Sequence, residues 1–170
     1  METWDAIRSR RNVREYQERA IEDEDLNQIL DAARRTPSSK NLQRWDLIVV
    51  KDRERLQRLS EVWRGARHIP GSAATIALAG PDPEDQRVRE SVAYDMGQLT
   101  MSIMLAAADL GLGSGHSSVY DQDVARRVLD LPDDRRCWWL IGLGYPDRPL
   151  EPIENPDRRP LDDLVHHEKW

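Results

Sequence analysis

The chain has 170 residues, with 25 Lys and Arg against 31 Asp and Glu, a formal net charge of −6, one Cys, nine Gly, ten Pro and no Phe. At 39% hydrophobic and 33% charged, it has the composition of one folded domain with a broad solvated surface, not that of a disordered chain. A single Cys excludes an internal disulfide and a cysteine zinc cage, the lack of a long apolar run excludes a membrane helix, and an acidic chain without a basic tract is a poor nucleic-acid binder.

Hydrophobic spacing predicts the elements in order. Trp4 and Ile7 open a short helix that runs into an Arg-rich stretch. Leu26, Ile29, Leu30 and Ala33 recur at helical spacing behind Glu22-Asp23-Glu24-Asp25, acids that suit the positive end of a helix dipole. This second helix should stop near Pro37. The run from Trp45 to Val50 reads as a strand, and a helix carrying Leu56 and Leu59 follows it. Ala74 to Ala79 reads as a second buried strand. After Pro83 a long helix carries Val88, Val92, Met96, Leu99, Ile103, Ala107 and Leu110, and Gly111 ends it. Leu99 to Ala108 is apolar nearly all round, so this stretch is expected to be covered on every side, with a second subunit supplying part of the cover. Asp123 to Leu129 gives a short helix and Trp138 to Gly144 a third strand. The Pro-rich and charged stretch from Asp147 ends in a short amphipathic piece, Leu161, Leu164 and Val165. Strands separated by helices describe an α/β or α+β sandwich. The organisation expected is one domain over 1–170, with 147–170 as an arm lying on a partner subunit. Lacking an apolar leader pattern near its start, the chain is expected in the cytoplasm.

Three clusters carry chemistry. Arg8, Arg10, Arg11 and Arg14 lie within seven residues with no acid among them. Converging guanidinium forks suit a phosphate dianion, and the same residues can equally form a solvated basic face. Pro37-Ser38-Ser39-Lys40-Asn41-Leu42-Gln43-Arg44 offers donors and acceptors fit for a ring with alternating carbonyl and N–H groups, or an ordinary polar loop. Gly111-Leu112-Gly113-Ser114-Gly115-His116 would let backbone approach a flat ligand, but it follows a helix and so fails as a dinucleotide fingerprint. Gly142-Leu143-Gly144 fails the same test, because no helix follows it. Cys137 reads as a small buried hydrophobe, and His166, His167 and Glu168 lack the spacing of a metal site.

Taken together, the runs Arg10-Arg11-Asn12-Val13-Arg14-Glu15-Tyr16, Pro37 to Trp45, Leu110-Gly111-Leu112-Gly113, Leu143-Gly144-Tyr145-Pro146, and Arg158-Arg159-Pro160-Leu161 with His167-Glu168-Lys169-Trp170 resemble the flavin-dependent nitroreductase family over nearly the whole chain. The resemblance implies an α+β homodimer holding FMN in clefts at the subunit interface. NADH or NADPH would reduce it in a ping-pong cycle for a small electron-poor acceptor such as a nitroaromatic or quinone. By position, Arg10, Asn12 and Arg14 would bind the FMN phosphate, with Arg158 or its neighbour Arg159, and Arg11 would belong to the same cofactor-binding set. Pro37, Ser38, Ser39, Asn41 and Gln43 would line the flavin and ribityl chain, partly from the other subunit, and Ser114 and Gly115 would bring backbone near the flavin edge. Arg64 and Arg67 are candidates to face the flavin pyrimidine. Arg44, which stands where members of the family commonly carry Pro, and His116 are candidates for the substrate pocket. No metal and no catalytic side chain is implied, since the flavin carries the chemistry. Two other activities lie within reach of the resemblance: oxygen-dependent destruction of the flavin, and FMN storage or an FMN-bound regulatory module.

Overall fold

A computed structural model describes residues 1–170. Helices α1 (Thr3–Ser9) and α2 (Asp23–Arg34) precede strand β1 (Asp46–Val50) and helix α3 (Arg53–Leu59). Three short 3₁₀ turns then lead to β2 (Ala74–Pro81), α4 (Gln86–Asp109), β3 (Gly113–Ser118), α5 (Gln122–Leu129) and β4 (Arg135–Gly144). Asp52, Asp85 and Asp121 cap α3, α4 and α5, each carboxylate accepting from a backbone N–H two or three residues on. The four strands form one antiparallel sheet in the order β1-β2-β4-β3.

Strand β2 is buried along almost its whole length because both faces of the sheet are covered. Its alternation sorts the core. Ile76 and Leu78 face α2 and α4, among Ile29, Met96, Leu99 and Ile103. Ala77 and Ala79 face α3, α5 and the 3₁₀ turns, among Leu56, Leu59, Val62, Ile69 and Val128. The outcome is an α+β sandwich of helices on both faces of a small sheet. Within the protomer helix α4 is buried along one side, at Leu99, Ile103 and Ala107, while Met101 is exposed and Leu105 and Ala106 are half-buried.

Strand β3 departs from the sequence reading, which predicts no strand between the long helix and Asp123. Its sequence, Gly-Ser-Gly-His-Ser-Ser, has little strand propensity, so only tertiary pairing explains it. The register with β4 sets Gly113 opposite Gly144 and Gly115 opposite Gly142. Residues two apart share a face, so these four glycines form one bare patch on the sheet. The segment after α1 lies on that patch. A Cβ on Gly115 would stand 2.2 Å from the Val13 carbonyl oxygen, one on Gly113 2.8 Å from the Val13 side chain, and one on Gly144 2.8 Å from the Tyr16 ring. Val13 N–H donates to the Ser114 carbonyl at 2.8 Å and Gln17 N–H to the Tyr145 carbonyl at 2.9 Å. The Tyr16 hydroxyl, held far above its ordinary pKa by burial, donates toward the Val13 and Gly142 carbonyls at 2.8 and 3.1 Å.

The patch makes a steric prediction. Gly115→Ala should destabilise the fold by about 1–3 kcal/mol and lower the melting temperature by about 3–10 °C, because its methyl group meets backbone and not a flexible side chain. An unchanged thermal midpoint by circular dichroism would show that the segment does not lie against the glycines.

Candidate cofactor site

The segment pinned on the glycine patch is the Arg-rich one, and its side chains divide among neighbouring clefts. Arg10 and Arg158 line one groove of about 740 Å³ with Arg8 and Glu154, walled by Trp4, Ile7, Met101 and Leu105. Arg11 and Arg14 line a second cleft with Arg148 and Glu15. Arg14 also faces a third, shared with Trp63, Arg64, Arg67 and His68. Arg8 pairs with Asp5 and Glu154. By contrast Arg10, Arg14, Arg64, Arg67 and Arg158 form no ion pair, although acids outnumber bases in the chain. Arg11 is engaged differently: it donates to the carbonyls of Ser9 and Glu151, which ties the start of the C-terminal segment to the end of α1. Arg158 and Arg159 donate to carbonyls within that segment, at Asp157 and Asp163. Residues 151–170 are exposed throughout in the protomer.

Asn12 bridges to Ser114 through backbone, and its side chain is exposed. Ser114 and Gly115 are buried, with their carbonyls accepting from Val13 N–H and facing His68 Nε2 at 2.9 Å. The loop with Pro37, Ser38, Ser39, Asn41 and Gln43 lines none of these three clefts. It sits beside Asp95 on α4, with Lys40, Asn41, Leu42 and Gln43 exposed. The two polar clusters therefore do not meet in any of these three clefts of the protomer. Arg44 turns onto α4 and donates to Ser91 Oγ at 2.7 Å. His116 is half-buried, edge-on to Trp139, with Nδ1 unpartnered. Burial first, then Arg10 and Arg14, hold its pKa below the ordinary imidazole value.

Sequence reasoning missed His68. Its Nδ1 lies 3.1 Å from the Gly65 carbonyl and Nε2 2.9 Å from that of Gly115, so it joins the 3₁₀ turns to β3. Both partners are acceptors, which a neutral ring can satisfy only one at a time. Burial still lowers its pKa, with Arg14 adding to the effect. Nothing in the linear sequence distinguishes this His, because its partners are backbone atoms of a strand that the sequence does not announce. Cys137 is wholly buried and its thiol is pushed up to about 12, the state of a core residue and not of a nucleophile. No group of three or more His, Cys, Asp or Glu side chains is placed to hold a metal.

Residues 7–66 and 62–145 match the sequence model described as the Nitroreductase family. The chain is similar to an Archaeoglobus fulgidus protein assigned as NADH dehydrogenase/NAD(P)H nitroreductase, 35% identical over 169 residues and 96% of each chain. It is 26% identical over 194 residues to the NADH dehydrogenase of Thermus thermophilus, covering 94% of this chain and 93% of that one. Among solved structures, an FMN-dependent nitroreductase from Clostridium difficile R20291 superimposes with a TM-score of 0.86, covering 98% of this chain and 99% of its own at 28% identity.

The depressed His68 pKa fixes a sign. The unfolded chain binds a proton near pH 6.5 while the folded ring resists it, so stability falls as pH drops below about 6.5. The urea midpoint should fall between pH 7.5 and pH 5.0, and His68→Gln should shrink that fall. An equal fall in both proteins would remove His68 from the pH response.

Proposed function

The chain belongs to the nitroreductase family, and from that premise we propose an FMN-dependent oxidoreductase that takes hydride from NADH or NADPH and reduces small electron-poor acceptors, nitroaromatics or quinones. The observation that carries the reading is the pair Arg10 and Arg158 in one groove, both without a carboxylate partner and with apolar walls beside them. That donor set fits FMN. Guanidinium forks lacking internal counter-ions match a phosphate dianion, and the walls of Trp4, Ile7, Met101 and Leu105 offer apolar surface beside it. Arg14, free of carboxylate partners, lines the neighbouring clefts, and Asn12 carries an exposed amide; in this reading both would join the phosphate site. Arg159 can exchange with Arg158. Arg11 contributes by tying down the segment that carries Arg158. The chemistry supplied by bound FMN is acceptance of a hydride and its delivery to a second substrate in a ping-pong cycle. The protein's part is to bind, orient and tune. In this reading the flavin carries the chemistry and no His, Cys or acid is called on as a nucleophile or proton donor, with His116 a candidate for the acceptor pocket only.

A homodimer completes the site in this reading. Tyr94 and Met101 on α4, with Trp4 and Ile7 on α1, leave exposed apolar surface in one protomer. The Ser38–Gln43 loop, which lines none of the three arginine clefts of its own chain, would meet the cofactor of the partner. Residues 147–170 would act as an arm across the interface, the rest of 1–170 being one domain. No helix is long and apolar enough to cross a membrane, and nothing in the site calls for nucleic acid.

Two measurements test the proposal. Arg10→Ala should weaken FMN binding by about 1.5–3 kcal/mol while leaving riboflavin almost unaffected, as read by flavin fluorescence quenching. Equal losses for both flavins would place the phosphate elsewhere. Under anaerobic conditions NADH or NADPH should bleach the FMN-loaded protein, and a quinone or nitroaromatic should restore its colour. If neither nicotinamide bleaches it at a rate matching turnover, the reductase reading fails.

A further inference from the structure

The loop between α2 and β1 carries an unusual backbone. Lys40, Asn41 and Gln43 have φ of 52°, 56° and 47°, three non-glycine residues in the left-handed region within four positions. Such a conformation persists only where its surroundings over-determine it. Part of the constraint is local. Ser38 Oγ accepts from Gln43 N–H at 2.9 Å, and the carbonyls of Ser38 and Ser39 accept from the N–H groups of Asn41 and Leu42 at 2.9 and 3.1 Å.

The rest comes from Asp95, whose residue is 1% exposed in the middle of α4. Its Oδ1 accepts both from Ser39 N–H at 2.9 Å and from Ser39 Oγ–H at 3.0 Å. Its Oδ2 accepts no hydrogen bond, and its one paired cation is Arg44, with Nη2 3.6 Å away. The same Nη2 donates to Ser91 Oγ one turn earlier on α4. The Arg44 carbonyl oxygen is seated where a Cβ on Gly80 would come within 2.8 Å, so the backbone of Arg44 is packed against β2. A buried carboxylate is tolerated only when it is paired and hydrogen-bonded, and for core packing alone an apolar residue would serve as well or better. Here both oxygens are directed at the loop and the residue that ends it.

We propose that Asp95 is a positioning residue, with Arg44 as its counter-charge, and that the pair holds the Ser38–Gln43 loop in the strained conformation that presents Ser38, Asn41 and Gln43 to flavin and acceptor. The role of the loop rests on the FMN reading above, whereas the constraint imposed by the pair does not. Asp95 touches neither cofactor nor substrate and acts through Ser39.

The test uses the full chain, with amide hydrogen exchange of the unliganded protein and FMN affinity measured in parallel. Arg44→Met strands the carboxylate and should speed exchange at Ser39, Asn41, Leu42 and Gln43 at least tenfold, with α4 and the sheet unchanged, and weaken FMN at least fivefold. Asp95→Asn keeps the acceptor for Ser39, so the double variant Arg44→Met with Asp95→Asn should recover to within threefold of wild type in both readouts. Arg44→Lys, which keeps the charge, should do the same. Unchanged loop exchange in Arg44→Met, acceleration spread over the whole molecule, or a double variant as impaired as Arg44→Met would overturn the pairing. Wild-type protein that binds no FMN would defeat the flavin reading alone, because the exchange data judge the pair without it.

Discussion

Four glycines without side chains, in register across two strands, are the constraint on which the rest of the molecule depends. Gly113, Gly115, Gly142 and Gly144 leave a bare area on the sheet face that carries α3 and α5. The segment from Asn12 to Gln17 lies directly on backbone there, held by ladder-like hydrogen bonds and by the buried Tyr16 hydroxyl. The residues that follow α1 thus become a fixed layer of the fold instead of a surface loop, and Arg14 is fixed with them. Such seating would serve the phosphate site proposed for these arginines, since long cationic side chains lose much freedom on binding and gain from a scaffold that already sets their origin.

Much of the fold was legible in the sequence, because burial leaves a periodic trace. Ile29, Met96, Leu99 and Ile103 at helical spacing, and Ile76 with Leu78 at strand spacing, all fall in the core on the expected face. Strand β3 was not legible. A Gly-Ser-Gly-His-Ser-Ser strand is specified by what lies across it, and its glycines serve the crossing segment and not the strand. The same glycines explain why neither glycine motif fits a dinucleotide turn: each is half of a patch that exists only after β3 and β4 pair. The apolar character of α4 was visible, but its exposed stripe at Tyr94 and Met101 belongs to geometry.

The candidate site shows the same division. The Arg cluster and the Ser-rich loop were visible as compositions, and the structure adds which cations lack counter-ions and which are occupied. Arg11 is committed to backbone carbonyls, while Arg10 and Arg158 converge from opposite ends of the chain. His68 and Asp95 left no signal, since each acts on backbone or on a residue far away in sequence. Family membership and the unpaired cations both support the proposed chemistry, and the absence of a cleft shared by the two polar clusters within one protomer is the reason the proposal calls on a second subunit.

The most direct measurement of this account is a crystal structure of the FMN-loaded protein. The account predicts the phosphate within hydrogen-bonding distance of Arg10 and Arg158, the segment from Asn12 to Gln17 unmoved on the four glycines, and the Ser38–Gln43 loop of a second subunit against the same flavin. A phosphate bound away from these arginines, or a segment lifted from the glycine patch to admit the cofactor, would contradict it.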